Sequence, residues 1–220
     1  MKIDFVSDVA CPWCAVGLNS LERALERIGS EIAVELHFQP FELNPAMGAE
    51  GADANEYLRA KYGLSHEQLQ RNRAHIRERG AAVGFEFGER KHVWNTFDAH
   101  RLLHWAGLQD RAREGSAGRQ GKQRELKHAL LQAYHGEGRN PGAADVLLEL
   151  AIAVGLDAEG AREVIASGAY ADEVRQAEQH WRQAGINSVP ALVIDGQHLI
   201  QGGQPPEVFE RTLRQIAAGG

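Results

Sequence analysis

The chain of 220 residues holds only two cysteines, Cys11 and Cys14. A disulfide-dense secreted scaffold is therefore excluded, because two thiols three positions apart cannot staple distant parts of a chain. An excess of basic residues is also lacking: the formal net charge is −6. That balance offers no electrostatic footprint for nucleic acid. No run of about 18 apolar residues occurs, so no helical membrane span is expected. The first residues, Met1-Lys2-Ile3-Asp4-Phe5-Val6-Ser7-Asp8, lack the basic segment and apolar core of a secretory signal. A cytoplasmic location is the expectation. The composition is otherwise ordinary for a globular chain, 43% hydrophobic and 25% charged, and it is long enough to bury a core without metal or disulfide staples.

Apolar periodicity divides the chain into three parts. Lys2–Ser7 carries Ile3, Phe5 and Val6 and reads as a buried strand. Val16, Leu18, Leu21, Leu25 and Ile28 follow at helical spacing, closed by Gly29. Ala33–Phe38 alternates as a second strand, ended by Pro40. From 46 to 185 the pattern is almost wholly helical. Ser65 with Gln68 forms a capping box, Asn95 stands as a cap before Phe97, and Asp157 precedes a shorter helix with Val164 and Ile165. Gly84–Gly88 reads as a short extended piece and Glu114–Gly118 as a loop. The end returns to strands: Ala191–Ile194, a tight Asp195-Gly196 turn, then His198–Ile200. Pro205-Pro206 opens a terminal helix with Val208, Phe209, Leu213 and Ile216. The order β-α-β, helices, β-β-α implies one α/β domain from residues 1–45 and 186–220, with 46–185 inserted as a helical domain.

The pair Cys11-Pro12-Trp13-Cys14 falls where the first strand gives way to a helix. A thiol attacks as its anion, and the unpaired N–H groups of a helix start favour an anion. Pro12 has no N–H to lose there. Cys11 would be the exposed nucleophile, and Cys14, one turn on, the more buried thiol that resolves a mixed disulfide. Zinc is the competing reading. It needs four ligands, and no second cysteine pair exists, although ten histidines are present. An isolated CxxC beside a βαβ pattern favours redox chemistry, so no metal ligand is assigned. Pro190 stands directly before an apolar strand. Both a plain trans proline and a cis proline turning Val189 toward the thiols are compatible with that position.

The stretches Ser7–Cys14, Phe41-Glu42-Leu43-Asn44-Pro45, Asn95-Thr96-Phe97-Asp98-Ala99-His100-Arg101-Leu102, Val189–Ile194 and Gly202-Gly203-Gln204-Pro205-Pro206 resemble the DsbA-like thioredoxin superfamily. More closely, they resemble its FrnE-like branch of cytoplasmic oxidoreductases. The resemblance implies a thioredoxin-like fold with a helical insertion and a cis Pro190. It also implies a substrate groove at Val189 and Pro190, flanked by the motif residues Pro12 and Trp13. It makes Asn95, His100 and Arg101 candidate cleft residues. Relatives carry a buried acid six residues before the first cysteine, where this chain has Phe5, so Asp8 or water is the candidate proton carrier. The activity implied is thiol–disulfide exchange with a protein or small-molecule disulfide. No bound cofactor is expected beyond the redox-active Cys11–Cys14 pair, with glutathione or a thioredoxin system as electron donor and a homodimer through the inserted helices. Two other readings compete. One is a glutathione-dependent isomerase or transferase, like the kappa-class glutathione transferases and 2-hydroxychromene-2-carboxylate isomerases, which typically carry serine in place of the first cysteine. The other is a non-catalytic, holdase-like binding module presenting an apolar surface.

Overall fold

The computed structural model describes residues 1–112 and 121–219; the expected loop at Glu114–Gly118 lies outside them. A four-stranded sheet forms the centre, in the order β2-β1-β5-β6. β1 (Lys2–Ser7) runs parallel to β2 (Glu35–Pro40) and antiparallel to β5 (Ala191–Ile194), which pairs antiparallel with β6 (His198–Gln201). The chain is thus α/β with a thioredoxin-like fold. The register Val6↔Ala191 sets the C-terminal end of β1 beside the start of β5. Residues nearly two hundred positions apart in the chain meet there.

α1 (Pro12–Ile28) and α9 (Pro206–Ala217) pack together against the sheet. Leu18, Leu21 and Leu25 of α1 join Ile3, Phe5, Phe209 and Leu213 in one core. Each such side chain contributes about 1.5–3 kcal/mol through burial. Phe5 is fully buried, its ring edge-on to Phe38 at 5.9 Å. Gly29 closes α1 at a φ of 60°. Asp195 and Gly196 both take positive φ (49° and 69°), as the two central residues of a type I′ hairpin turn require.

Between β2 and β5 lie α2 (Ala54–Tyr62), α3 (His66–Ala82), α4 (Phe97–Ala112), α5 (Lys122–Leu131), α6 (Ala144–Ala153), α7 (Ala158–Ser167) and α8 (Ala171–Gln183). The Ser65–Gln68 capping box opens α3, and Asp157 caps α7 by accepting from the Gly160 N–H. Asn95 accepts from the Phe97 N–H at 2.8 Å, just ahead of α4. A π-helical turn, Gln132–Gly136, follows α5 and buries the consecutive residues Tyr134 and His135. Val9 and Ala10, from the loop after β1, belong to the core of this helical block. The thiol loop is therefore held by both halves of the molecule. Among the described residues no helix is long and apolar enough to cross a membrane.

Three local expectations are corrected. β2 begins at Glu35 rather than Ala33 and runs through Pro40; as an edge strand it can hold a residue that lacks an N–H. Gly84–Gly88 forms no strand, because Phe85 and Phe87 fold back over Gly80, with the Phe85 N–H bonded to the Gly80 carbonyl at 2.9 Å. A small ribbon instead pairs β3 (Ala52–Asp53) with β4 (His92–Val93), two residues each, too short to leave a periodic signal.

Gly17 lies on α1 where the helix meets the β5 entry. A Cβ there would stand 2.9 Å from Pro190 Cγ and 3.4 Å from Gly203 Cα. Gly17→Val should therefore cost about 1–3 kcal/mol by overpacking, measured by urea denaturation. An unchanged stability would show that the helix and the Pro190 loop are not in close contact.

Candidate active site

β1 ends at Ser7, and Asp8-Val9-Ala10 carries the chain to the helix. Cys11 is the N-cap of α1, with extended backbone (φ −90°, ψ 114°), and Pro12 is the first helical residue. The Cys14 N–H bonds to the Cys11 carbonyl at 3.0 Å, which brings the second thiol onto the first turn. The Val189–Pro190 peptide is cis. The Cys11 thiol donates to the Val189 carbonyl at 3.4 Å. Val6, Phe41, Trp181, Ile186 and Ala191 complete an apolar wall around the two cysteines. Trp13 is half-buried, 5.6 Å from the His75 ring and 5.8 Å from the Arg79 guanidinium on α3.

The two sulfurs differ electrostatically. The neighbouring Cys14 side chain is the largest influence on the Cys11 thiol, followed among the lowering ones by the backbone N–H groups of Cys14 and Trp13 at the helix start. Together they outweigh burial and the Asp8 charge and hold the Cys11 thiol below its ordinary pKa. Burial, then the bond it donates to Cys11 and the Cys11 charge, push Cys14 well above its ordinary value. Cys11 is less open than an exposed nucleophile would be: it is 4% accessible, against 0% for Cys14. The Val189 carbonyl and the apolar wall cover it.

Asp8 is fully buried and saturated with donors. It accepts from the N–H groups of Ala10 (3.0 Å) and Leu43 (2.7 Å), the Thr96 hydroxyl (2.8 Å) and His100 Nε2 (3.3 Å). Burial would raise its pKa. The His100 bond and charge, with the Leu43 and Ala10 N–H groups, overcome this and hold the carboxyl below its usual range. An ionised, fully bonded carboxylate is a poor proton acceptor. Asp8 thus ties the thiol loop to the Leu43 segment and to the start of α4.

The four expected cleft residues divide. Asp8 and His100 meet beneath the thiol loop. Asn95 does not join them; its amide donates to the Met47 carbonyl at 2.8 Å while its oxygen holds the start of α4. Arg101 turns away as well. Its guanidinium bonds to the carbonyls of Val164, Ile165 and Ala169, satisfying the C-terminal end of α7, and pairs with Asp98.

Three residues near the thiols carried weak signals in the sequence. Arg90 donates to the Ala10 carbonyl at 3.1 Å. His135 Nε2 donates to the Val9 carbonyl at 2.8 Å, and burial, then the Arg90 charge, lower its pKa to about 3, so the ring is neutral. Lys127 is only 1% accessible, yet it is a lysine. Its place in the stripe of Leu130, Leu131 and Tyr134 was the readable anomaly. Beside Pro12 opens a cavity of about 370 Å³ whose wall includes Arg73, Arg77, Arg90, Lys91 and His92, with Asp53 and Glu89. Burial, then the Arg90 and Arg77 charges, lower the pKa of Arg73, and Asp53 and Glu89 offset this only in part. No group of three His, Cys, Asp or Glu side chains placed to hold a metal occurs among the described residues.

The family model for the DSBA-like thioredoxin domain matches residues 2–214. The chain belongs to the DsbA-like thioredoxin family. Among relatives of this DsbA-like chain, YwbO of Bacillus subtilis is 28% identical over 214 residues, 97% of this chain and 96% of YwbO. A probable DsbA oxidoreductase from Streptomyces coelicolor is 36% identical, with a TM-score of 0.87 over 99% of this chain and 90% of that one. The cytosolic disulfide reductase DsbM from Pseudomonas aeruginosa, solved with glutathione, shares the fold at 18% identity and a TM-score of 0.65, over 99% of this chain and 100% of that one.

Breaking the Asp8–His100 pair by Asp8→Ala should cost about 3–5 kcal/mol, since it leaves buried donors without a partner. The native Asp8 pKa lies below its unfolded value. Its contribution is therefore present above the ordinary carboxylate pKa and is lost as pH falls through the native one. Urea unfolding of the wild type and the variant across acid pH should show the gap between them closing in that window.

Proposed function

We propose that this DsbA-like chain exchanges thiols and disulfides, with Cys11 as nucleophile and Cys14 as resolving thiol. One observation carries the reading: Cys11 stands at the N-terminus of α1 with Cys14 on the first turn, and its thiol donates to the Val189 carbonyl beside the cis Pro190. Nucleophile, resolving thiol and substrate-facing loop are thus adjacent. The Cys11 thiolate attacks one sulfur of a substrate disulfide and displaces the other as a thiolate, leaving a mixed disulfide. Cys14, having lost its proton, attacks the Cys11 sulfur and releases the second substrate thiolate. The substrate gains two electrons, and the Cys11–Cys14 disulfide holds the loss.

The two pKa directions suit this order. A thiolate-prone Cys11 attacks first, and a Cys14 that stays protonated does not compete. Trp13, Val189 and Pro190 form the proposed contact surface for substrate. The helical segment 46–185, taken as an inserted domain, supplies the opposite wall through α2 and α3. The cationic cavity beside Pro12 favours a disulfide carrying carboxylates, and glutathione is the reductant we favour. In a cytoplasmic setting the net direction is reduction or isomerisation of substrate disulfides.

Reduction of insulin and of oxidised glutathione by the wild type tests the reading. Cys11→Ser should lower the rate by at least about 1000-fold, because a hydroxyl cannot replace the thiolate. Cys14→Ser should accumulate a mixed disulfide visible by mass spectrometry. The alkylation rate of Cys11 should be half-maximal below the ~8.5 of a free cysteine. Wild type inactive toward both disulfides, with an ordinary thiol pKa, would overturn the proposal. Arg73→Glu/Arg77→Glu should raise KM for oxidised glutathione about tenfold at low salt, and little for an uncharged disulfide. Equal effects on both substrates would remove the cationic cavity from substrate selection.

A further inference from the structure

The buried acid that relatives place under the resolving thiol is Phe5 here, and Asp8 is saturated. The resolving step still requires Cys14 to lose its proton inside an apolar wall. Lys127, near the middle of α5, is the unexplained polar group in that region. α5 is fixed to α1 by Arg124 (2.5 Å) and His128 (2.8 Å), which both bond to Glu22. Leu131 of α5 also joins Ala15, Leu18 and Leu21 of α1 in one buried core. This places the inward side of α5, where Lys127 lies, alongside the thiol helix. Lys127 makes no ion pair with a carboxylate among the described residues, although it is almost wholly buried. A buried ammonium without a counter-ion is costly; the neutral amine is the form such a site favours. The amine also borders a cavity of about 150 Å³ between β2, α4, α5 and α8, lined by Gln39, Pro40 and His100 among others. A space of that size and polarity can hold water.

We propose that Lys127, from the inserted helices, accepts the Cys14 proton during resolution and returns it through this cavity. Given the exchange activity proposed above, the step balances. Cys14–SH and the Lys127 amine become a thiolate and an ammonium. The thiolate then forms the S–S bond to Cys11 as the Cys11–substrate bond breaks. The proton leaves the ammonium for water or for the departing substrate thiolate. Electrostatics agree with the geometry. Burial, the largest influence, pushes the Lys127 pKa down, and anions at Cys14, Asp8 and Cys11 pull it back up, Cys14 most. Burial thus weakens the hold of Lys127 on its proton, and a thiolate at Cys14 strengthens it.

Other charged and titratable groups face the amine. His37 comes from β2, and His100, His104 and Arg111 from α4. Asp8 and Cys11 lie on the thiol side, and His135 on the π-helical turn. Asp8 is committed to His100, and His135 to Val9.

The two halves of the exchange can be timed separately. Reduced protein is mixed with an aromatic disulfide that frees a coloured thiolate at each step. The first, second-order release reports Cys11; the second, first-order release reports Cys14. In the wild type the second release should change less than about threefold between pH ~6.5 and ~8.5. In Lys127→Met it should fall at least about tenfold near pH 7 and rise about tenfold per pH unit, following the raised Cys14 thiol. Lys127→Arg, which keeps a charge but cannot give up its proton, should follow Lys127→Met. The first release should be unchanged in both variants. A wild-type second release that itself climbs tenfold per pH unit would overturn the proposal, even if neither variant folds. So would an Arg variant indistinguishable from wild type, or equal slowing of both releases. A wild type that frees no second thiolate at all would instead overturn the exchange reading on which the proposal rests.

Discussion

The site depends on one buried carboxylate. Asp8 lies in the three-residue loop between β1 and Cys11 and draws donors from three separate segments: its own loop at Ala10, the post-β2 segment at Leu43, and the start of α4 at Thr96 and His100. Removing a carboxylate from water is expensive unless its lone pairs are met, so the four donors are constrained to converge. Their convergence sets where the helical block sits against the sheet, and hence the depth at which Cys11 lies. Arg90 on the Ala10 carbonyl and His135 on the Val9 carbonyl hold the same loop from the helical side. Its backbone therefore has little freedom, as the exchange proposed for Cys11, an approach along the S–S axis of a disulfide, would require.

Charge around the thiols is divided by burial and partner. Asp8 is ionised because it is saturated, and His135 is neutral because it is buried next to Arg90. Cys11 and Cys14, one helical turn apart, are driven in opposite directions: the Cys14 side chain lowers Cys11, and burial, then the Cys11 side chain, raises Cys14. The apolar wall of Val6, Phe41, Trp181 and Ile186 strengthens each of these effects by excluding water.

Much of the fold was legible because its signals are local. The alternation at Lys2–Ser7, the apolar stripe of α1, the Ser65–Gln68 box and the Asp195-Gly196 turn each report a period or a turn within a few residues. The failures were also local in origin. β3 and β4 are two residues long, and Phe85 and Phe87 alternate like a strand but serve to cover Gly80. Arg101 and Asn95 sit in a conspicuous polar stretch, yet they satisfy the end of α7 and the 44–48 loop rather than the cleft. Sequence spacing does not say in which direction a helix face will look.

The sequence by itself determined the chemistry on offer: two thiols one turn apart at a strand-to-helix junction, a proline opening the helix, and a proline entering an apolar strand. Those are properties of neighbours along the chain. The tertiary structure decided what the thiols meet. Pairing of β1 with β5 placed Val189 against Cys11, the packing of α4 made Asp8 a charged strut, and the packing of α5 on α1 put the Lys127 amine in the interior. Each of these depends on contacts across about a hundred residues or more, where burial and the lack of alternative partners, rather than local propensity, select the arrangement.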